Sequence, residues 1–136
     1  MLEFDYKAFN LTEYDWCLLD KNGHLAIMMI GGQGGIPKVL VELNHATTDI
    51  AFQIISSSQI VTEGSIDVDD FQFTLEHLEI SKKGFYVYDA TYDVLNRYTR
   101  ISSPKKKLHV SQISQRYVDV LNKYRFNGVF QDSFSI

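Results

Sequence analysis

Tyr14-Asp-Trp-Cys-Leu-Leu-Asp20, Lys21-Asn22-Gly23 and His24-Leu-Ala-Ile-Met-Met-Ile30 form the stretch whose reading decides the fold. Two apolar runs of strand length flank an Asn-Gly pair, which readily takes the positive φ angles of a tight turn. The stretch therefore reads as a β-hairpin. Its second run is continuously apolar, as expected of a central strand covered on both faces. Gly31-Gly-Gln-Gly-Gly35 and Ile36-Pro37 follow as a backbone-permissive loop, with Pro37 placed for the first turn of a helix.

Working outward, Leu40, Leu43, Ile50 and Ile54 recur at steps of three and four or their sums, which predicts a helix over 38–57, broken near 44–48. A loop is expected from Ser56 to Ser65. A second helix is expected to start at 67–70, where carboxylates suit the positive end of the helix dipole, and to bury Phe71, Leu75 and Leu78. Lys82-Lys-Gly84 closes it with cations and a glycine. Phe85-Tyr-Val-Tyr88 and Tyr98-Thr-Arg-Ile101 read as a second hairpin-like pair. Ser103-Pro104-Lys-Lys-Lys107 reads as an exposed loop. Ser111 is expected to cap a third helix running to Tyr124, with Ile113, Tyr117, Val120, Leu121 and Tyr124 on one side. The tail from Arg125 to Phe130 is expected to end as a short strand. Strands and helices mix without a regular βαβ alternation. The expected class is α+β: one domain over 1–136, with a largely antiparallel sheet and about three helices.

Composition agrees with that size. The 136 residues are 45% hydrophobic and 22% charged, with nine Phe and eight Tyr, enough for one core. Cys17 has no cysteine partner and lies in the apolar run Trp16-Cys-Leu-Leu19, so it reads as a small buried hydrophobe. The opening Met-Leu-Glu-Phe-Asp-Tyr-Lys has neither the positive lead nor the apolar stretch of a signal peptide, and no window approaches the ~20 apolar residues of a membrane span. The expected address is the cytoplasm.

Charge is lopsided along the chain. Residues 1–79 carry thirteen Asp/Glu against three Lys, whereas 80–136 carry ten Lys/Arg against four Asp. Two faces of opposite sign follow unless folding interleaves the halves. Glu63, Asp67, Asp69, Asp70, Glu76 and Glu79 place six carboxylates in seventeen positions with no Lys or Arg among them. They read either as a solvated polar face or as an acidic surface that steers and docks a basic partner.

The motifs of catalysis fail at named positions. A phosphate loop needs Lys and Ser/Thr after its last glycine, but Ile36 and Pro37 follow Gly35. The third glycine of a dinucleotide fingerprint counted from Gly32 falls on Pro37. Phe71 takes the third ligand position of a calcium loop begun at Asp67. His24, His45, His77 and His109 are far apart, and no serine sits in Gly-x-Ser-x-Gly. Lys105-Lys-Lys107 reads as a solvated turn in preference to a nucleic-acid contact. No cofactor, metal or catalytic residue is expected.

Three stretches then carry a likeness. They are Leu19-Asp-Lys-Asn-Gly-His-Leu-Ala26 running into Gly31-Gly-Gln-Gly-Gly-Ile-Pro37; Gly84-Phe-Tyr-Val-Tyr-Asp89 leading to Tyr98-Thr-Arg-Ile-Ser-Ser-Pro104; and Phe126-Asn-Gly-Val-Phe130. In that order the chain resembles small immunity-type proteins encoded beside bacterial polymorphic and contact-dependent toxins. The resemblance implies a cytosolic, non-enzymatic protein that occludes a co-produced toxin domain, and a basic toxin would suit the acidic residues. Two other readings stay open. One is a small-ligand protein or enzyme with a pocket near Gly31–Gly35. The other is a homodimer subunit joined through exposed Tyr86, Tyr88 or Tyr98.

Overall fold

Asp15–Leu19 (β2) and Leu25–Met29 (β3) form the hairpin, paired antiparallel from Asp15↔Met29 to Leu19↔Leu25. The computed structural model describes residues 4–5, 15–29, 36–38, 40, 50–68, 75–90, 97–131 and 133–135. The turn differs from a two-residue Asn-Gly turn. Beyond Leu19↔Leu25 the Asp20 N–H still donates to the His24 carbonyl at 3.0 Å, and the Gly23 N–H closes a turn on the Asp20 carbonyl at 3.2 Å. The buried Asp20 carboxylate braces that turn: its Oδ1 accepts from the backbone N–H groups of Asn22 and His24, both at 2.9 Å. Gly23 supplies the positive φ, +83°.

The remaining elements assemble around β3. Phe4–Asp5 (β1) pairs with Ile36–Pro37 (β4) as a separate two-stranded unit, so Pro37 ends a strand and precedes helical residues that include Lys38 and Leu40. Ile50–Ser57 (α1), Gly64–Ile66 (β5), Leu75–Ser81 (α2), Tyr86–Ala90 (β6), Arg97–Pro104 (β7), Gln115–Leu121 (α3) and Ser133–Ser135 (β8) follow. The main sheet runs β2-β3-β6-β7-β5, with β8 beside β5 on the same edge of β7. Its class is α+β, as expected. The pairing is antiparallel except between β3 and β6, which run parallel from Ala26↔Tyr86 to Met29↔Asp89. The chain from 30 to 85 makes that crossover, and β5 lies within it. Among the described residues no helix is long and apolar enough to cross a membrane.

Register explains why β3 is apolar throughout. Trp16, Met28, Tyr88 and Arg100 sit side by side across β2, β3, β6 and β7, so they share one face. Cys17, Ile27 and Val87 share the other. Both rows are buried from β2 to β6. Over the aromatic face, Phe126, Phe130 and Phe134 gather on Tyr86, Tyr88 and Tyr98 with ring centroids 4.8–6.3 Å apart. Tyr86, Tyr88 and Tyr98 are consequently 7%, 0% and 1% exposed. This removes the homodimer surface expected of them: the C-terminal segment covers these rings. That segment is irregular over 125–131, and the terminal strand is β8, later than the sequence predicts.

Helix boundaries shift where a side chain or a neighbouring strand claims the backbone. α1 reaches Ser57 because Ser57 and Ser58 hydroxyls donate to the Gln53 and Ile54 carbonyls, satisfying its last turn. The expected 56–65 loop is thereby shortened at its start, and Gly64–Ile66 joins the sheet at its end. Asp67 continues that pairing, its N–H bonded to the Ile101 carbonyl at 2.8 Å, so it does not open a helix. Leu75, expected to face the core, is 73% exposed, and α2 buries Ile80 and Ser81. Phe71 lies outside the described residues. The end of α2 is as read: Gly84 at φ +103° donates to the Ser81 carbonyl. His109, in place of Ser111, makes the cap near the third helix. Its Nδ1 accepts from the Ser111 N–H of a 3₁₀ turn over Val110–Gln112, and α3 starts after Ser114. Tyr117, Leu121 and Tyr124 are buried as expected.

One polar link joins α2 to the sheet from within. Ser81 Oγ and Ser102 Oγ are 2.6 Å apart and fully buried, and they also reach the Phe85 and His77 carbonyls. Two hydroxyl protons are shared among these three contacts, two filled at a time, so neither serine has a proton to spare. Ser102→Ala should cost about 1 kcal/mol, seen as a lower urea midpoint with an unchanged slope. An unchanged midpoint would mean the link is not worth its desolvation.

Candidate functional site

The four described carboxylates of the acidic cluster do not form an unopposed negative surface. Strand β5, from the acidic half, lies against β7 from the basic half. Asp67 Oδ2 accepts from Arg100 Nε at 2.9 Å and from the Ser103 hydroxyl. Glu63 faces Lys105 at 3.5 Å, and Glu79 pairs with Lys82 at 2.9 Å one turn on. Glu76 stands exposed in the first turn of α2. Asp69 and Asp70 lie outside the described residues, as does the Gly31–Gly35 loop. Folding thus interleaves the two halves. Exposed pairs of this kind contribute little stability, but they cancel one another's long-range field.

A second region shows the opposite balance. Between α1, the loop after it and the start of α3 lies an open cleft of about 630 Å³. That volume is within the usual range of ligand sites. Its walls include Ser57, Gln59, Val61 and Leu108, with Lys83 and Arg116 as its cations. Lys83 is carried there by the turn after α2, and its Nζ donates to the Ile55 carbonyl at 2.8 Å. Arg116 lies over the Tyr117 ring, 4.8 Å from its centroid, and its Nη2 donates to Tyr117 Oη at 2.7 Å and Gln53 Oε1 at 3.4 Å. Among the described residues, every acceptor that holds these cations is neutral and no carboxylate lines the cleft. Val61 in its wall is 59% exposed, and Ile60, the residue before it, is 57% exposed. The arrangement suits recognition of negative charge next to apolar surface.

Sequence reasoning missed this cleft because no local spacing joins its parts. Lys83 reads as a helix-closing cation and Arg116 as a solvated helix residue until packing brings them to one cavity.

No family model, curated protein or solved structure matches this chain.

Other reactive groups lie outside the cleft. Burial lowers the pKa of His77, against a smaller raising effect from Glu76, and burial raises that of Asp89. His24 and His109 stack edge to face at 6.2 Å, but Nδ1 of His109 is engaged by its cap and His24 by the Asp20 turn. Among the described residues no three His, Cys, Asp or Glu side chains gather to hold a metal ion. Burial pushes the Cys17 thiol up to about 12, so the folded chain holds it as the inert thiol. A disulfide-exchange reagent at pH 8 should leave native Cys17 unmodified and modify it fully in guanidinium. Rapid labelling of the native chain would contradict its burial in the core.

Proposed function

We propose that the chain is a non-enzymatic binding protein of the immunity or antitoxin type, which occludes a co-produced toxin domain in the bacterial cytoplasm. What supports this reading is the pairing of exposed apolar side chains with unneutralised cations at one cleft. Protein interfaces combine these elements: an apolar centre that excludes water, with Arg and Tyr as anchors. Phe52, 72% exposed on α1, adds a large aromatic one residue before Gln53, which holds Arg116. The resemblance in hairpin order and Gly-Pro punctuation supplies the toxin as the class of partner. Steering of a basic partner by the acidic cluster is reduced where Glu63, Asp67 and Glu79 already face cations of their own chain.

Co-expression with the C-terminal toxin domain encoded beside it, in cells which that domain otherwise kills, tests the reading. Survival, with the two chains purifying as one complex, is the expected result. Continued killing by the toxin in the presence of soluble chain, with no complex at low salt, would contradict it.

A further inference from the structure

We propose that the cleft between α1 and α3 receives a short acidic segment of the partner. Its carboxylates are paired by Lys83 and Arg116, and a neighbouring apolar side chain rests against Leu108 and Ile113. This rests on the protein-binding reading for the identity of the ligand as a polypeptide. The chemistry of the ligand follows from counting donors. A guanidinium has five N–H donors and an ammonium three. Arg116 spends two on Tyr117 and Gln53, and Lys83 spends one on Ile55. The Tyr117 hydroxyl accepts from Arg116 and keeps its own proton to give. Ser57 and Ser58 donate to carbonyls of α1 and cannot turn those protons toward a ligand.

The cleft is therefore rich in unspent donors on two full positive charges, and none of its lining among the described residues is a carboxylate. Elsewhere the chain matches Lys82, Arg100 and Lys105 with Glu79, Asp67 and Glu63. Here it leaves the matching carboxylate to the ligand. Stacking on Tyr117 holds the Arg116 guanidinium before the ligand arrives, with its Nε and Nη1 hydrogens unspent, which lowers the ordering cost of a charge-assisted hydrogen bond. Apolar surface decides between a free anion and a chain. Leu108 and Ile113 give the cleft an apolar wall, to which the 59% exposed Val61 adds. A small oxyanion would leave that surface wet, whereas a polypeptide covers it.

The test titrates the full-length, isotope-labelled chain with three probes: acetyl-Glu-Leu-Glu-Leu-Glu-amide, its Gln-Leu-Gln-Leu-Gln counterpart, and inorganic phosphate. Amide shifts near Lys83, Gln112 and Arg116 should saturate with the Glu peptide, which should bind at least about tenfold more tightly than the Gln peptide. The double variant Lys83→Gln/Arg116→Gln should lose binding while keeping the native spectrum, and Lys106→Gln/Lys107→Gln should retain it. The proposal is overturned by no saturable shift up to about 10 mM peptide, by equal affinity for both peptides, or by unchanged binding in the double variant. Phosphate binding as tightly as the Glu peptide would replace the polypeptide with a free oxyanion and overturn it equally. Peptide binding without protection from the toxin would remove the toxin as partner and leave the cleft standing. Protection that survives the double variant would do the reverse.

Discussion

Trp16→Ala is expected to remove about 3–5 kcal/mol of stability, the range for deleting a fully buried large aromatic. The indole is 1% exposed, on an edge strand that would otherwise be open to solvent. It meets Tyr98 edge-on at 6.1 Å and Tyr124 at 6.2 Å, so it ties β2 to β7 and to the turn after α3. Edge-to-face aromatic pairs add roughly 0.5–1.5 kcal/mol each beyond their buried area. Against a total of roughly 5–15 kcal/mol, the loss leaves a marginal fold. Phe52→Ala provides the contrast: at 72% exposure it should move the guanidinium midpoint hardly at all. Equal effects from the two substitutions would mean that the sheet's aromatic face is not the core described.

Gly84→Ala is the second large effect, expected at about 2–5 kcal/mol from a left-handed penalty and overpacking together. Gly84 has φ +103°, and a Cβ there would lie 2.7 Å from Leu108 Cβ and 2.9 Å from its backbone N. The two backbones cannot separate cheaply, because Leu108 N–H donates to the Gly84 carbonyl at 2.9 Å. The substitution also acts on function. Lys83 precedes Gly84 and Leu108 walls the same cleft, so any adjustment displaces both. Thermal unfolding should show a Tm loss larger than that of Gly128→Ala, whose Cβ would meet only the ring of Phe126. Equal losses at both glycines would contradict the close approach at Leu108.

Much of this fold is legible in the sequence because hydrophobic period and turn chemistry act locally. The β2–β3 hairpin, the apolar centre of the sheet, the second hairpin of β6 and β7, and the glycine stop after α2 all follow from such signals. What the sequence does not show is decided at long range. Asp67 looks like a helix start until β7 offers its Ile101 carbonyl, and Leu75 then turns outward. Tyr86 and Tyr88 look available until Phe130 and Phe134 return over them from the end of the chain. The candidate site fails to show for the same reason. Six neighbouring carboxylates announce themselves in a linear reading, yet Glu63 meets its cation, Lys105, from 42 residues further along the chain. Lys83 and Arg116 announce nothing until the fold brings them to one cleft.

Hydrogen exchange on the chain, free and in complex with the toxin domain, tests the partner-binding account most directly. The prediction is slowed exchange at 57–61 and 108–117, the segments that wall the cleft, with the amides of β3 unchanged because they are already protected. Protection confined to 63–67 and 75–79, with the cleft exchanging as in the free chain, would contradict it.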